Sequence, residues 1–164
     1  MRTELQTGAR NCLEAPGGGV KEPLLIRAQP PKAVAMTLLK AASLPSEDLR
    51  EEMLSDFFYA GSDGAPQGLV GLEILGKEAL LRSLVVESHA RGEGLGTSMV
   101  AHAEKHAAAR GVRSLYLLTT TAESFFLRLN YLRIDRDAAP PTIQRTSEYA
   151  SLCPASSAFM VKQL

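Results

Sequence analysis

The chain has 164 residues with 18 acidic and 18 basic side chains, a length that suits one domain with a sizeable core and would cramp two. This balance lacks the positive excess that holds nucleic acid or an anionic membrane surface, so a small-molecule partner is expected, with neither nucleic acid nor membrane. Cys12 and Cys153 lie far apart without CxxC spacing, which argues against a disulfide framework and a zinc site.

Residues 1–22 carry glycine, proline and charge without periodicity, and read as a flexible N-terminal extension before a domain at 23–164. The opening has no apolar core of a signal peptide and no apolar run is long enough for a membrane span, so a cytoplasmic location is expected. Leu24–Ala28 is strand-like, and Val34, Leu38 and Ala41 follow at helical spacing between prolines. Ser46, with Glu47 and Asp48 in the first turn, should start a second helix ending near Ser55. Residues 57–75 read as two strands joined by a loop rich in Gly, Asp and Pro, and 78–86 as a third antiparallel strand.

Leu95, Met99, Ala103 and Ala107 recur every four residues up to Arg110 and Gly111, an amphipathic helix of about four turns. Residues 114–121 form the next strand, and a strand, a helix and a strand make a right-handed crossover. Leu81–Val86 and Leu115–Thr119 should therefore run parallel. A short helix at 122–130, a strand at 131–135, a helical turn or two over Ile143–Tyr149 and a strand at 158–163 complete the chain. The class is α+β, a mixed and mostly antiparallel central sheet flanked by helices.

The strand before the long helix runs straight into Gly92, Gly94 and Gly96. Glycines let a ligand approach the backbone, and the N–H groups of a helix's first turn make an anion site, so phosphate is the expected guest. The dinucleotide GxGxxG pattern does not fit Gly92-Glu93-Gly94-Leu95-Gly96, and no lysine precedes Thr97 as a P-loop requires. What remains is Arg-x-x-Gly-x-Gly, from Arg91 to Gly96.

This stretch in its strand–turn–helix setting resembles the pyrophosphate signature Gln/Arg-x-x-Gly-x-Gly/Ala of the N-acetyltransferase (GNAT) family. Residues 122–131 resemble the family's Ala-x-x-Phe-Tyr-x-x-x-Gly-Phe, and the element order agrees over about 24–164. The resemblance implies an acetyl-CoA-dependent N-acetyltransferase that needs no metal, whose two parallel strands splay to admit the pantetheine arm. It implies that N–H groups from Gly92, Glu93, Gly94, Leu95, Gly96 and Thr97 hold the pyrophosphate, with Arg91 orienting the loop. Leu84, Val85 and Val86 would pair with the pantetheine arm, Val86 N–H would polarise the thioester carbonyl, and Thr119 stands where many members have an Asn that bonds the arm. The family's usual acid, a Tyr, is replaced by Phe126, so Thr120, Thr121, Ser124 or solvent would supply that proton.

Glu73 and Glu87 are candidate bases, or solvated carboxylates of ordinary kind. Arg82 and Ser83 interrupt an apolar strand. Arg82 either lines the cleft as a receptor for a substrate carboxylate, which points to a small amino-acid-like amine, or faces solvent; Thr120 would line the same site. Arg136 and Arg145 are weaker candidates for that task. The stretches 80–86, 116–126 and 151–154 further resemble the acetyltransferases of bacterial arsenic-resistance operons, which implies detoxification of a small amino compound. The alternative is an acyl-CoA-binding sensor without turnover, and a third reading is a peptide acetyltransferase, which an acidic groove would favour. His102 and His106 lack the third ligand and glutamate spacing of a zinc helix and read as solvated. Cys153 reads as a small buried hydrophobe, and a monomer or homodimer is expected.

Overall fold

A computed structural model describes residues 25–164. The expected extension at 1–22, Cys12 and Leu24 lie outside the described residues. Seven strands form one sheet: β1 (Ile26–Ala28), β2 (Phe57–Ser62), β3 (Ala65–Leu75), β4 (Glu78–Val86), β5 (Ser114–Thr119), β6 (Leu132–Ile134) and β7 (Ala158–Gln163). They lie in the order β1-β2-β3-β4-β5-β7-β6. Every neighbouring pair is antiparallel except β4 and β5, which run parallel as expected.

The helices are α1 (Lys32–Ala41), α2 (Leu95–Ala109), α3 (Glu123–Arg128) and α4 (Pro141–Gln144). Proline at positions 30 and 31 stops the strand and opens α1, whose buried face is Ala35, Leu38 and Leu39; Ala41 is exposed, contrary to the spacing argument. The helix expected from Ser46 is absent. Residues 46–50 are extended or turned, and a 3-10 segment spans Glu51–Asp56. Asp48 is drawn instead toward Arg82 on β4, an ion pair that a regular helix register does not offer it. The helical expectation at Ile143–Tyr149 is divided between α4 and a π-helical turn at Glu148–Leu152.

The sheet separates two layers of core. On one face α2 buries Met99, Val100, Ala103 and Ala107 against Phe58, Val70, Leu72, Leu81 and Leu117. On the other face the apolar packing is divided: α1 covers Phe57, Tyr59, Leu69 and Val85, while Ile143 of α4 covers Leu80 and Phe159. Between these two clusters lies charge rather than hydrocarbon. Gly71 of β3 leaves room for the Phe57 ring, since a Cβ there would sit 2.5 Å from Phe57 Cε1. Gly71→Ala is expected to lose about 1–3 kcal/mol of stability by overpacking, read by urea unfolding; an unchanged midpoint would deny the close fit.

One irregularity in the sheet positions the site. Leu69 pairs with Val85 but Gly71 with Arg82, so β4 carries one more residue than β3 across this step, a β-bulge. Ser83 takes it up in the left-handed region, φ 61°, uncommon for a residue with a side chain. Parallel pairing with β5 runs only from Glu78↔Ser114 to Leu80↔Tyr116. Beyond it, β4 and β5 part.

Candidate active site

The gap between the parted strands is the wall of a cavity of about 820 Å³, lined by Arg82, Ser83 and Leu84 of β4, Leu117–Ala122 at the end of β5, and Glu148, Cys153 and Ser157 beyond β6. A short strand-end explains its polarity. Glu87 N–H donates to Gln67 carbonyl oxygen at 2.9 Å, so alternation turns the Val85 backbone toward β3 and the Leu84 and Val86 N–H groups toward the gap. Val85 is therefore corrected: it is in register with Leu69, its side chain sits under α1, and it offers the gap nothing. Thr119 Oγ1 accepts from Ala122 N–H at 2.9 Å, tying the end of β5 to the start of α3, and Thr120 lines the same cavity.

The glycine turn lies at the far end of β4, where Val86, Arg91, Gly92, Gly94, Leu95, Gly96, Thr97, Phe125 and Arg128 enclose about 390 Å³. Its glycines differ in purpose. Gly92 and Gly94 have φ of +80° and +82°, and a Cβ on either would meet no other atom within 4 Å, so the space before them is open. Gly96 has ordinary φ and packs under Phe125. Gly94 is the N-cap of α2 and no side chain caps that end, which leaves the first-turn N–H groups and the helix dipole directed at the cavity. Arg91 Nε donates to the Val86 carbonyl at 2.9 Å, fastening the turn to the strand. Leu95 sends its side chain into the core, and Glu93 is exposed in the same turn. The donor set and the open cradle fit an anion such as a diphosphate, with Arg128, which the sequence reading did not single out, adding a cation.

Charge concentrates on the opposite face of the gap. Arg82 is fully buried as a side chain and is held by three carboxylates. Its Nη1 and Nη2 donate to the two oxygens of Asp48 at 2.5 and 2.7 Å, Nη1 also donates to Glu73 Oε1 at 2.7 Å, and Nε lies 3.3 Å from Glu148 Oε1. Nε also donates to Ser83 Oγ at 3.2 Å. The expected role of Arg82 as receptor for a substrate carboxylate is corrected by this geometry, because the bidentate fork already grips Asp48. Glu73 points into the cluster, and with Glu47, Asp48, Asp56, Thr142 and Arg145 it lines a neighbouring cavity of about 730 Å³. Glu87 lines none of these three cavities, so its candidacy as base has no geometric support.

The electrostatics of the cluster follow from burial. Burial alone would loosen the Arg82 proton, but the Asp48 hydrogen bonds and the fields of Glu148, Asp48 and Glu73 more than reverse this and keep it cationic. Hydrogen bonding from Arg82 holds the Asp48 carboxyl below its ordinary value against the opposing pull of burial. Glu148 behaves differently: burial pushes it up to about 7, Arg82 opposes, and Asp48 and Glu73 add to the rise. Arg82 reaches it through Nε alone, at 3.3 Å, while the Nη atoms are given to Asp48 and Glu73, so burial wins. Cys153 Sγ lies 3.9 Å from Glu148 Oε2, and burial, with Glu148 beside it, pushes the thiol up to about 11. Cys153 is half-buried on the cavity wall rather than a core hydrophobe.

One further reading changes. His102 and His106 are half-buried rather than on an open face: both rings pack edge-on against Phe58, and His106 Nε2 lies 2.9 Å from Asp56. Phe126 is buried against Phe125 and Tyr131 and places a hydrocarbon edge, not a hydroxyl, on the gap. Asp48 and Glu148 were missed, because each reads as a surface acid on a helical turn until β4 brings Arg82 between them. Among the described residues no group of three His, Cys, Asp or Glu could hold a metal ion, and no helix is long and apolar enough to cross a membrane.

Residues 29–131 match the acetyltransferase (GNAT) family. An uncharacterized N-acetyltransferase of Chlorobaculum tepidum is 33% identical over 95 residues, 57% of this chain, and the match spans 61% of that protein's length. Among solved structures, N-acetylglutamate synthase of Neisseria gonorrhoeae, complexed with coenzyme A and L-arginine, aligns with 88% of this chain and 34% of its own at a TM-score of 0.72 and 22% identity. Rv2747 of Mycobacterium tuberculosis, in a complex that includes CoA, aligns with 85% of this chain and 99% of its own at 0.70 and 15% identity; both are likenesses of fold. The parted strands, the glycine turn at the head of α2 and a family match over most of the sheet together place the chain in the acetyltransferase (GNAT) family.

Proposed function

We propose that the chain is an acetyl-CoA-dependent N-acetyltransferase that acetylates a small cationic amine. The observation that carries this reading is the placement of two cavities along one strand: the β4–β5 gap, which begins after Leu80 and Tyr116 and is lined by Arg82, Ser83 and Leu84, and the open glycine cradle, which starts at Val86. The cradle N–H groups, Arg91 and Arg128 hold the pyrophosphate of the donor, and the gap-facing N–H groups of Leu84 and Val86 pair with its extended arm. Val86 N–H, at the gap edge, polarises the thioester carbonyl. The donor supplies an activated acyl group; the chain aligns an amine with it and manages the amine's proton.

The expectation of an amino-acid-like acceptor rested on Arg82 as a free receptor. With Arg82 matched against three carboxylates, the cleft repels a substrate carboxylate and attracts an ammonium group. Detoxification of an arsenical or other xenobiotic amine remains a matter for the acceptor panel. Release of coenzyme A thiol from acetyl-CoA across diamines, aminoglycosides, lysine peptides, α-amino acids and amino-acid-like phosphinates and arsenicals tests this directly. Cationic amines are expected to exceed α-amino acids by about tenfold or more in kcat/KM, the scale of one like-charge repulsion. The reverse ranking would remove the cationic acceptor. Phe126, which supplies no acid, favours a second reading, a donor-binding sensor; calorimetric binding of coenzyme A without turnover of any amine would decide for it.

A further inference from the structure

We propose that Glu148 is the proton acceptor for the attacking amine, a carboxylate that the connection between β6 and β7 carries over the β4–β5 gap. The inference rests on the acetyltransferase reading above. Glu148 opens the π-helical turn Glu148–Leu152, the kind of local insertion into a helix that tends to mark functional sites. The turn has no apolar reason to bring a carboxylate inward, yet Glu148 is 4% exposed and lines the gap.

Charged and titratable groups from several elements surround Glu148. Arg82 of β4 forms an ion pair with Oε1, its Nε at 3.3 Å. Asp48 from the segment before Glu51–Asp56 and Glu73 of β3 share that guanidinium. Cys153 at the end of its own turn lies 3.9 Å from Oε2, and Lys40 and Glu47 stand on the cavity wall. Arg136, from the segment between β6 and α4, donates to the carbonyls of Tyr149 and Pro154 and so secures the turn. Arg82 is a positioning residue here; it orients Glu148 without being able to take a proton.

A second observation points to a ligand in the same cavity. Ser157 is 4% exposed, lines the gap, and its Oγ has no hydrogen-bond partner. A buried hydroxyl left unmatched is uncommon, and an amine or amide in the gap would satisfy it. Neither Glu73 nor Asp48 can serve as well as Glu148, because Asp48 gives both oxygens, and Glu73 its Oε1, to the Arg82 Nη atoms at 2.5–2.7 Å.

The ammonium R–NH3⁺ gives one proton to Glu148, and the freed nitrogen lone pair forms the C–N bond to the acyl carbon. The C–S bond breaks with its electron pair on sulfur. The second nitrogen proton goes to that sulfur, giving amide and thiol, and Glu148 later returns its proton to solvent. The net change is ammonium plus thioester to amide plus thiol plus one proton. A carboxyl held near neutrality by burial is better matched to this transfer than an exposed one.

The test is kcat/KM against pH from 5.5 to 9, at saturating acetyl-CoA with the best amine of the panel, for the wild type, Glu148→Gln and Glu148→Asp. The wild type is expected to show a rising limb with an inflection near 7. Glu148→Gln should fall about 100-fold or more and lose the limb, while Glu148→Asp should keep a limb at reduced rate. Coenzyme A affinity by calorimetry shows whether each variant is folded. Glu148→Gln that keeps the limb and a rate within threefold of wild type overturns the inference alone. Should Glu148→Gln fail to fold, Glu148→Asp with an unmoved limb and rate overturns it equally. A wild type that binds coenzyme A and turns over no amine overturns the acetyltransferase reading and the inference together, a pattern distinct from either.

Discussion

Arg82→Ala is expected to cost about 3–5 kcal/mol of folding stability at pH 8, the range for removing one partner of a buried ion pair. The value should fall toward the lower end, because Asp48 and Glu73 keep 15% and 16% of their side-chain surface exposed and water can reach them. Glu148, at 6%, cannot be rehydrated without opening the turn. The loss also has a pH dependence with a definite sign. In the wild type, Asp48 titrates below its ordinary value because Arg82 hydrogen-bonds it, so its contribution is present above about pH 4 and is lost in acid. Glu148 titrates upward, to about 7, so the native state binds a proton that the unfolded state has lost, and stability falls as pH rises from about 4.5 to 7. Without Arg82 both Asp48 and Glu148 hold protons to higher pH, and protonation relieves the repulsion in the cluster. The deficit of the variant should therefore shrink between pH 8 and pH 5 in urea unfolding. A deficit under about 1 kcal/mol at pH 8 would mean that the cluster is not the electrostatic knot of this face.

That cluster also marks the limit of what the sequence could tell. The three antiparallel strands, α2 and the parallel crossover were legible because their signals are local: alternation, four-residue spacing and a glycine turn. Arg82 was legible as an anomaly, a charge in the run Leu80–Val86. Its partners were not. Asp48 lies 34 residues earlier and reads as a helix-start acid, whereas the chain at 46–50 is turned or extended and Asp48 pairs with Arg82. Glu148 follows Thr146 and Ser147 in a segment with ordinary helical composition, and nothing local distinguishes it from a solvated glutamate. The bulge at Ser83 was equally hidden, since serine gives no preference for a φ of 61° and only the β3–β4 register requires it. Local chemistry exposed the donor end of the site, whereas the acceptor end is made by contacts across the chain.

Gly94→Val is expected to lower coenzyme A affinity by about 100-fold or more, the scale of losing two or more charge-assisted contacts, while costing about 1–3 kcal/mol of stability through its φ of +82°. These two effects have separate causes. The strain belongs to the backbone, and it would arise at any glycine of similar φ. The binding loss belongs to the space: a side chain at 94 meets no protein atom within 4 Å, so what it fills is the cradle over the first turn of α2. Gly76, between β3 and β4, separates the two, because its φ is +74° and a Cβ there also meets nothing within 4 Å, yet it lines none of the three cavities. Gly76→Val should lose comparable stability and bind coenzyme A as the wild type does. If both variants bound coenzyme A equally, whether tightly or weakly, the glycine turn would be a tight connection between strand and helix and not the seat of the pyrophosphate. The anion would then have to be held by Arg91 and Arg128 alone, two exposed side chains whose contacts salt would largely screen. A strong salt dependence of coenzyme A binding in the wild type would support that alternative, and a weak one supports the backbone cradle.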